Sequence, residues 1–151
     1  MPAETFQQAR WKAWGTGLGV CLVVPLAAGA LAFAGIFPPG QYPVAGATQQ
    51  LGYSFTALTF LAAAAMAWRR VRFLQAFRSL EEAARVAALH REARLLVLLS
   101  LSTTLWGTLY WTLVGLHAVR HVLTFLVLTP VMFLCFMPRP PAKNPSPKET
   151  P

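Results

Sequence analysis

A long stretch without any charged side chain constrains this chain more than any other feature of its sequence. Between Ala13 and Trp68 there is no Asp, Glu, Lys or Arg, and two further uncharged runs follow at 95–119 and 121–138. A bilayer core about 30 Å thick requires about 20 mostly apolar residues for each helix that crosses it. The sequence therefore predicts an all-α integral membrane protein.

Four apolar segments are long enough to be spans, at about residues 13–37, 51–68, 95–115 and 119–137. We expect them to form two transmembrane hairpins. The first segment also has the basic start, apolar core and small-residue sites of a cleavable signal peptide. Its apolar run is longer than is usual for such a peptide, so a permanent first span is favoured.

The two ends of the chain are predicted to lie outside the membrane domain of residues 13–137. Residues 1–12 form a short head that carries two basic side chains. Residues 138–151 are rich in proline and charge. Such a tail cannot bury enough apolar area to fold, so we expect it to be disordered.

Seven of the thirteen basic residues lie between the second and third spans, in the segment 69–94. Basic residues concentrate in cytoplasmic loops, so this segment and both termini are predicted to lie on the cytoplasmic side. The membrane is predicted to be a bacterial-type inner membrane. The net charge of +8 is then explained by the basic cytoplasmic segments, which also attract anionic lipid. Nucleic-acid binding is therefore not expected. The seven residues are Arg69, Arg70, Arg72, Arg78, Arg85, Arg91 and Arg94.

The segment 69–94 is predicted to be more than a loop. No glycine or proline occurs between Gly52 and Gly107, and Ser79 with Glu82 has the spacing of a capping box. We expect the second and third spans to continue as a cytoplasmic helical hairpin. The alternative is a pair of amphipathic helices lying on the bilayer surface.

Small and hydroxyl residues recur at intervals of four on the first three spans. Such residues let helix backbones approach closely in membranes, and steps of four form one ridge along a helix. We interpret them as helix-packing surfaces, whereas the alternative for the third span is the polar lining of a pore. The predicted packing residues are Gly15 and Gly19 on the first span and Ser100, Thr104, Gly107, Thr108 and Thr112 on the third.

A second candidate site consists of His117, Arg120 and His121, between the third and fourth spans. If residues 117–128 are helical, the two histidines share one face, and such a pair can bind one metal ion. This side of the membrane offers no further good ligand, so no metal site is predicted. A quinone held by Arg120 and a histidine, or a haem shared by two copies, remains an alternative to a plain interfacial turn.

The sequence contains no catalytic arrangement: no Ser/His/Asp set, no Cys/His pair and no phosphate-binding glycine loop. No charged residue lies in the middle of a span, which argues against an ion-coupled transporter. We therefore expect a protein without catalysis and without a cofactor, an accessory or assembly subunit that binds other membrane subunits or its own copies. The alternatives are an oligomeric pore or small-solute carrier, and a quinone- or haem-holding subunit of a redox complex.

Overall fold

The computed structural model describes residues 6–40 and 45–138, and these residues form four long helices. The elements are α1 (Phe6–Phe33), α2 (Ala45–Phe77), α3 (Glu82–Val114), a 3₁₀ turn (Gly115–Ala118) and α4 (Val119–Phe136). All four helices are long and apolar enough to cross a membrane. The predicted all-helical class with four membrane-length segments is confirmed. Apart from Pro138, the predicted tail lies outside the described residues, as do residues 1–5 of the head.

The helices extend beyond the apolar segments from which they were predicted. Helix α1 begins at Phe6, within the predicted head, and α2 and α3 have 33 residues each. A helix of that length spans about 50 Å, against about 30 Å for a bilayer core. Residues 69–94 are accordingly helical except for a short turn at 78–81.

The turn between α2 and α3 does not use the predicted capping box. Helix α3 starts at Glu82, directly after its N-cap residue Glu81, whose side chain makes no capping hydrogen bond. The Ser79 hydroxyl donates instead to the carbonyl of Ala76 at 2.9 Å. Ser79 therefore provides a hydrogen-bond donor for a carbonyl at the end of α2, where carbonyls lack partners within the helix. The prediction that Ser79 caps the start of α3 is wrong.

Helices α3 and α4 form the centre of the bundle, because each of them packs against all three other helices. The predicted pairing of the first two spans as a hairpin is wrong, since the described backbones of α1 and α2 do not come within 8 Å of each other. The reason lies in the loop after α1, which crosses the end of α3. Gly40 N–H donates to the carbonyl of Trp111 at 3.2 Å, and the Trp111 indole N–H donates to the carbonyl of Phe37 at 2.9 Å.

Two layers of buried side chains fill the bundle, one toward each end. The layer near the α2–α3 turn is centred on Trp14, Met66, Leu96 and Phe133. The layer near the loop after α1 is centred on Phe55, Tyr110, Trp111 and Phe125. Helix α1 runs parallel to α3, with Gly17 beside Val97 near one end and Phe33 against Trp111 near the other.

Candidate functional site

About half of the predicted packing ridge of α3, here called the hydroxyl stripe, lies against α4. Ser100, Thr103 and Thr104 are buried, and both threonine hydroxyls meet the hydroxyl of Thr129 on α4, at 2.6 and 2.7 Å. Gly107 continues this contact, because a Cβ at that position would lie only 3.0 Å from the Cβ of Phe125. Helix α4 therefore covers Thr103, Thr104 and Gly107 of α3.

The other two predicted members of the stripe satisfy their own helix. Thr108 is half-buried and donates to the carbonyl of Thr104 at 2.9 Å. Thr112 is exposed and donates to the carbonyl of Leu109 at 3.0 Å. A hydroxyl bonded to its own helix makes little demand on its surroundings in lipid.

On α1 the residues that pack are different from the predicted pair. Gly15 is exposed and Gly19 is half-buried, and no atom outside their own helix comes within 4 Å of a Cβ placed on either. Gly17 lies two positions away, about 200° around the helix, and is buried against Phe133 and Val97. The buried ridge was detectable as small residues at steps of four from Ala9, and it comprises Ala9, Ala13, Gly17, Cys21, Pro25 and Gly29.

The three residues of the second candidate site lie on two elements, and all three are exposed. Helix α4 begins only at Val119, so His117 lies in the preceding 3₁₀ turn, and both His117 and Arg120 are exposed. Residues 117–128 are therefore not one α-helix, because the first two belong to the 3₁₀ turn, and the positive φ of 73° at Gly115 separates that turn from α3. In the described part of the chain no three His, Cys, Asp or Glu side chains come together to hold a metal ion.

His121 differs from its neighbours because it faces a cleft. Its ring lies edge-on to Tyr110, with 5.8 Å between ring centroids. The Tyr110 hydroxyl donates to the carbonyl of Thr48 at 3.0 Å, so it joins α3 to the first turn of α2. The nearby Tyr110 and Trp111 donors are therefore both used to hold the fold.

Four of the seven predicted basic residues have structural partners. Arg69 forms an ion pair with Glu92 of α3, with nitrogen–oxygen distances of 2.8 and 3.3 Å, and Glu92 is buried. Arg70 donates to the carbonyl of Cys135 at 3.1 Å, in the last turn of α4. Arg72 lies over Trp68 and Arg85 over Phe77, at 4.6 and 5.5 Å from the ring centroids. Arg78, Arg91 and Arg94 are exposed.

A cleft of about 420 Å³ opens between α2 and α4. No charged side chain lines it, and its hydroxyls are already bonded, Thr56 to Gly52, Thr59 to Phe55 and Thr124 to Arg120. His121 lies at one end and Cys135 at the other, so the cleft follows most of α4. Its walls are Thr56, Thr59, Phe60, Ala63, His121, Thr124, Phe125, Leu128, Val131, Met132, Cys135 and Phe136.

Comparison of the chain with protein-family models, with curated proteins and with solved structures finds no match. The functional argument therefore depends on the geometry of the described residues.

Proposed function

We propose that this chain is a multi-pass protein of a bacterial-type inner membrane, with both termini in the cytoplasm. The four membrane-length helices support insertion. The placement of charge supports the orientation, since Lys12, Arg70 and Arg94 lie toward the α2–α3 turn and Arg120 lies at the opposite end. Positive charge prefers the cytoplasmic side.

Single-cysteine labelling tests this orientation. In a chain that carries Cys21→Ala and Cys135→Ser, we expect Gln49→Cys to react with an impermeant maleimide in intact cells, because it lies at the outer start of α2. Ser79→Cys, in the α2–α3 turn, should react only after the membrane is permeabilised. Labelling of position 79 in intact cells, with position 49 protected, would reverse the proposed topology.

We propose further that the protein acts without catalysis, as an accessory or assembly subunit of a larger membrane complex. The α2–α4 cleft carries this proposal. It is uncharged and concave, and large apolar side chains line it together with Ala63 and three threonines. Transmembrane helices associate by close packing against such surfaces. The bonded hydroxyls of the cleft make no further polar demand, so an apolar helix fits it. The occupant that we propose is one transmembrane helix of a different subunit.

Site-specific photocrosslinking tests the occupant. A benzophenone amino acid in place of Phe60 points the probe into the cleft, whereas the same probe in place of neighbouring Leu61 is the control. Both side chains are about equally exposed, 71% and 66%, but Leu61 does not line the cleft. We expect one adduct of defined mass from position 60, mapped by peptide sequencing to a transmembrane segment, and none from position 61.

The variant Ala63→Trp should abolish that adduct, because the indole fills the cleft. An adduct at twice the mass of this chain would show a second copy in the cleft and overturn the heteromeric proposal. Equal adducts from positions 60 and 61 would overturn a specific cleft contact. The absence of a protein adduct, together with a quinone that organic solvent extracts from the purified wild type but not from Ala63→Trp, would also overturn the proposal. The occupant of the cleft would then be a redox cofactor beside His121 and not a helix.

A further inference from the structure

The wall that α4 contributes to the α2–α4 cleft contains a regular stripe of side chains. Five residues of α4 recur at intervals of three and four from His121 to Cys135, and all of them line the cleft. On the opposite wall Thr56, Phe60 and Ala63 of α2 recur at intervals of four and three. This spacing is typical of the seam between helices that cross at about 20° in a left-handed pair. The five residues of α4 are His121, Thr124, Leu128, Val131 and Cys135.

The length of the stripe suits a transmembrane helix. From His121 to Cys135 the chain advances by 14 residues (135 − 121), which is about 21 Å along a helix axis. The core of a bilayer is about 30 Å thick. A helix in the cleft would therefore contact α4 through most of the membrane, with one end of the contact at His121 and the other at Cys135.

The end of the cleft at His121 has two basic side chains without a partner. His121 is exposed and lines the cleft, and Arg120 precedes it, exposed in the first turn of α4. In the described part of the chain neither the imidazole nitrogens nor the guanidinium form a hydrogen bond or an ion pair. The cleft hydroxyls differ in this respect, since each of them is bonded to its own helix.

The chain has no carboxylate of its own to offer at this end of the bundle. Neither the segment between α1 and α2 nor the segment 115–121 contains an acidic residue. A second copy inserted with the same topology would also bring none to this end. The counter-charge for Arg120 must therefore come from a different molecule. The five acidic residues are Glu4, Glu81, Glu82, Glu92 and Glu149.

We propose that the helix in the α2–α4 cleft has an Asp or Glu at its outer end, which pairs with Arg120 and His121. Arginine and carboxylate form strong, charge-assisted hydrogen bonds. His121 is the third residue of α4, so the carboxylate lies near the membrane interface and away from the middle of the bilayer, where a charge is most costly. The inference rests on the proposed function and adds the chemistry and the register of the partner helix.

A zero-length carbodiimide cross-linker tests the pairing, because it joins an amine to a carboxylate only where the two are in contact. It is applied to native membranes that contain the full chain. The variant His121→Lys should form an amide with an Asp or Glu of the same partner segment that the probe at position 60 captures. The matched control is His117→Lys, which is exposed in the preceding turn and outside the cleft. It should form no such amide.

Removal of the two basic groups provides a second measurement. The variant Arg120→Gln/His121→Gln should reduce the yield of the position-60 adduct about tenfold, because it leaves the partner carboxylate without its counter-charge. Its membrane abundance should stay normal, since both side chains are exposed. The matched control Arg78→Gln/His117→Gln removes one arginine and one histidine from exposed positions outside the cleft. It should change the yield less than about twofold, as a surface change does.

The outcomes separate this inference from the proposed function. No adduct from position 60 would refute the occupied cleft, and the pairing with it. A helix captured from position 60, without an amide at His121→Lys, would refute the pairing alone. Equal amides from both lysine variants, or equal losses in the two double variants, would show a general charge effect and overturn the pairing. An anionic phospholipid retained by the purified wild type but lost from Arg120→Gln/His121→Gln would identify lipid phosphate as the counter-charge, which also overturns it.

Discussion

Replacement of Gly17 by leucine is expected to destabilise the bundle by about 3 kcal/mol, the upper range for overpacking a tight interior. A Cβ at this position would lie 2.5 Å from Cζ of Phe133 and 3.2 Å from Cγ2 of Val97. Phe133 has 0% exposure, so its ring is enclosed by other side chains, which a shift of the ring would displace. The clash therefore separates α1 from both α3 and α4.

Gly15→Leu is the matched control, because the same side chain is added on the same helix where no atom lies within 4 Å. It should alter stability by less than about 0.5 kcal/mol, as a surface change does. Thermal unfolding in detergent, followed by tryptophan fluorescence, measures both variants. Equal shifts would mean that α1 does not contact α3 and α4 through Gly17.

Replacement of Gly115 by alanine is expected to be the most damaging single-methyl change in the chain, at about 4 kcal/mol from backbone strain and overpacking together. Gly115 has φ of 73° and ψ of −146°, a conformation almost confined to glycine. A Cβ there would also collide with the backbone of Gly40. The loop after α1 could then no longer close over the end of α3.

Gly35→Ala separates the two causes. Gly35 has φ of 78°, but a Cβ there meets nothing within 4 Å. This variant should lose only the strain component, roughly 1–2 kcal/mol. Unfolding by a graded detergent titration compares the two variants, and a Gly115→Ala chain as stable as Gly35→Ala would contradict the close approach of Gly40 and Gly115.

Charge and hydropathy were sufficient to predict the helices, but not which helices pack together. The four segments stand out because charge is absent from them, a local property of sequence. Pairing depends on small residues, and every span has some of them. Gly15 and Gly19 have the spacing of a packing motif, yet only Gly17 and its companions at steps of four face α3. The one local difference is the length of the run, since the face of Gly17 continues at steps of four from Ala9 to Gly29.

The sites were partly predictable for a similar reason. Ser100 and Thr104 were predicted to pack and are buried, but Thr112 on the same ridge is exposed. The contact of Thr103 and Thr104 with Thr129 depends on how α4 is placed. The role of Arg69 was hidden, because its partner Glu92 is 23 positions away and the segment is rich in arginine.

The parallel contact of α1 with α3 has a consequence for how the protein is made. Gly17 and Val97 touch, although 80 residues separate them (97 − 17). At synthesis rates of roughly 5–20 residues per second, α1 emerges from the ribosome roughly 4–16 s before its partner does. In the finished bundle the described parts of α1 and α2 do not meet, so the ridge of α1 is covered by α3 and α4 and not by α2. In the proposed membrane topology, the first helix therefore enters the bilayer before the two helices that cover its ridge have been made.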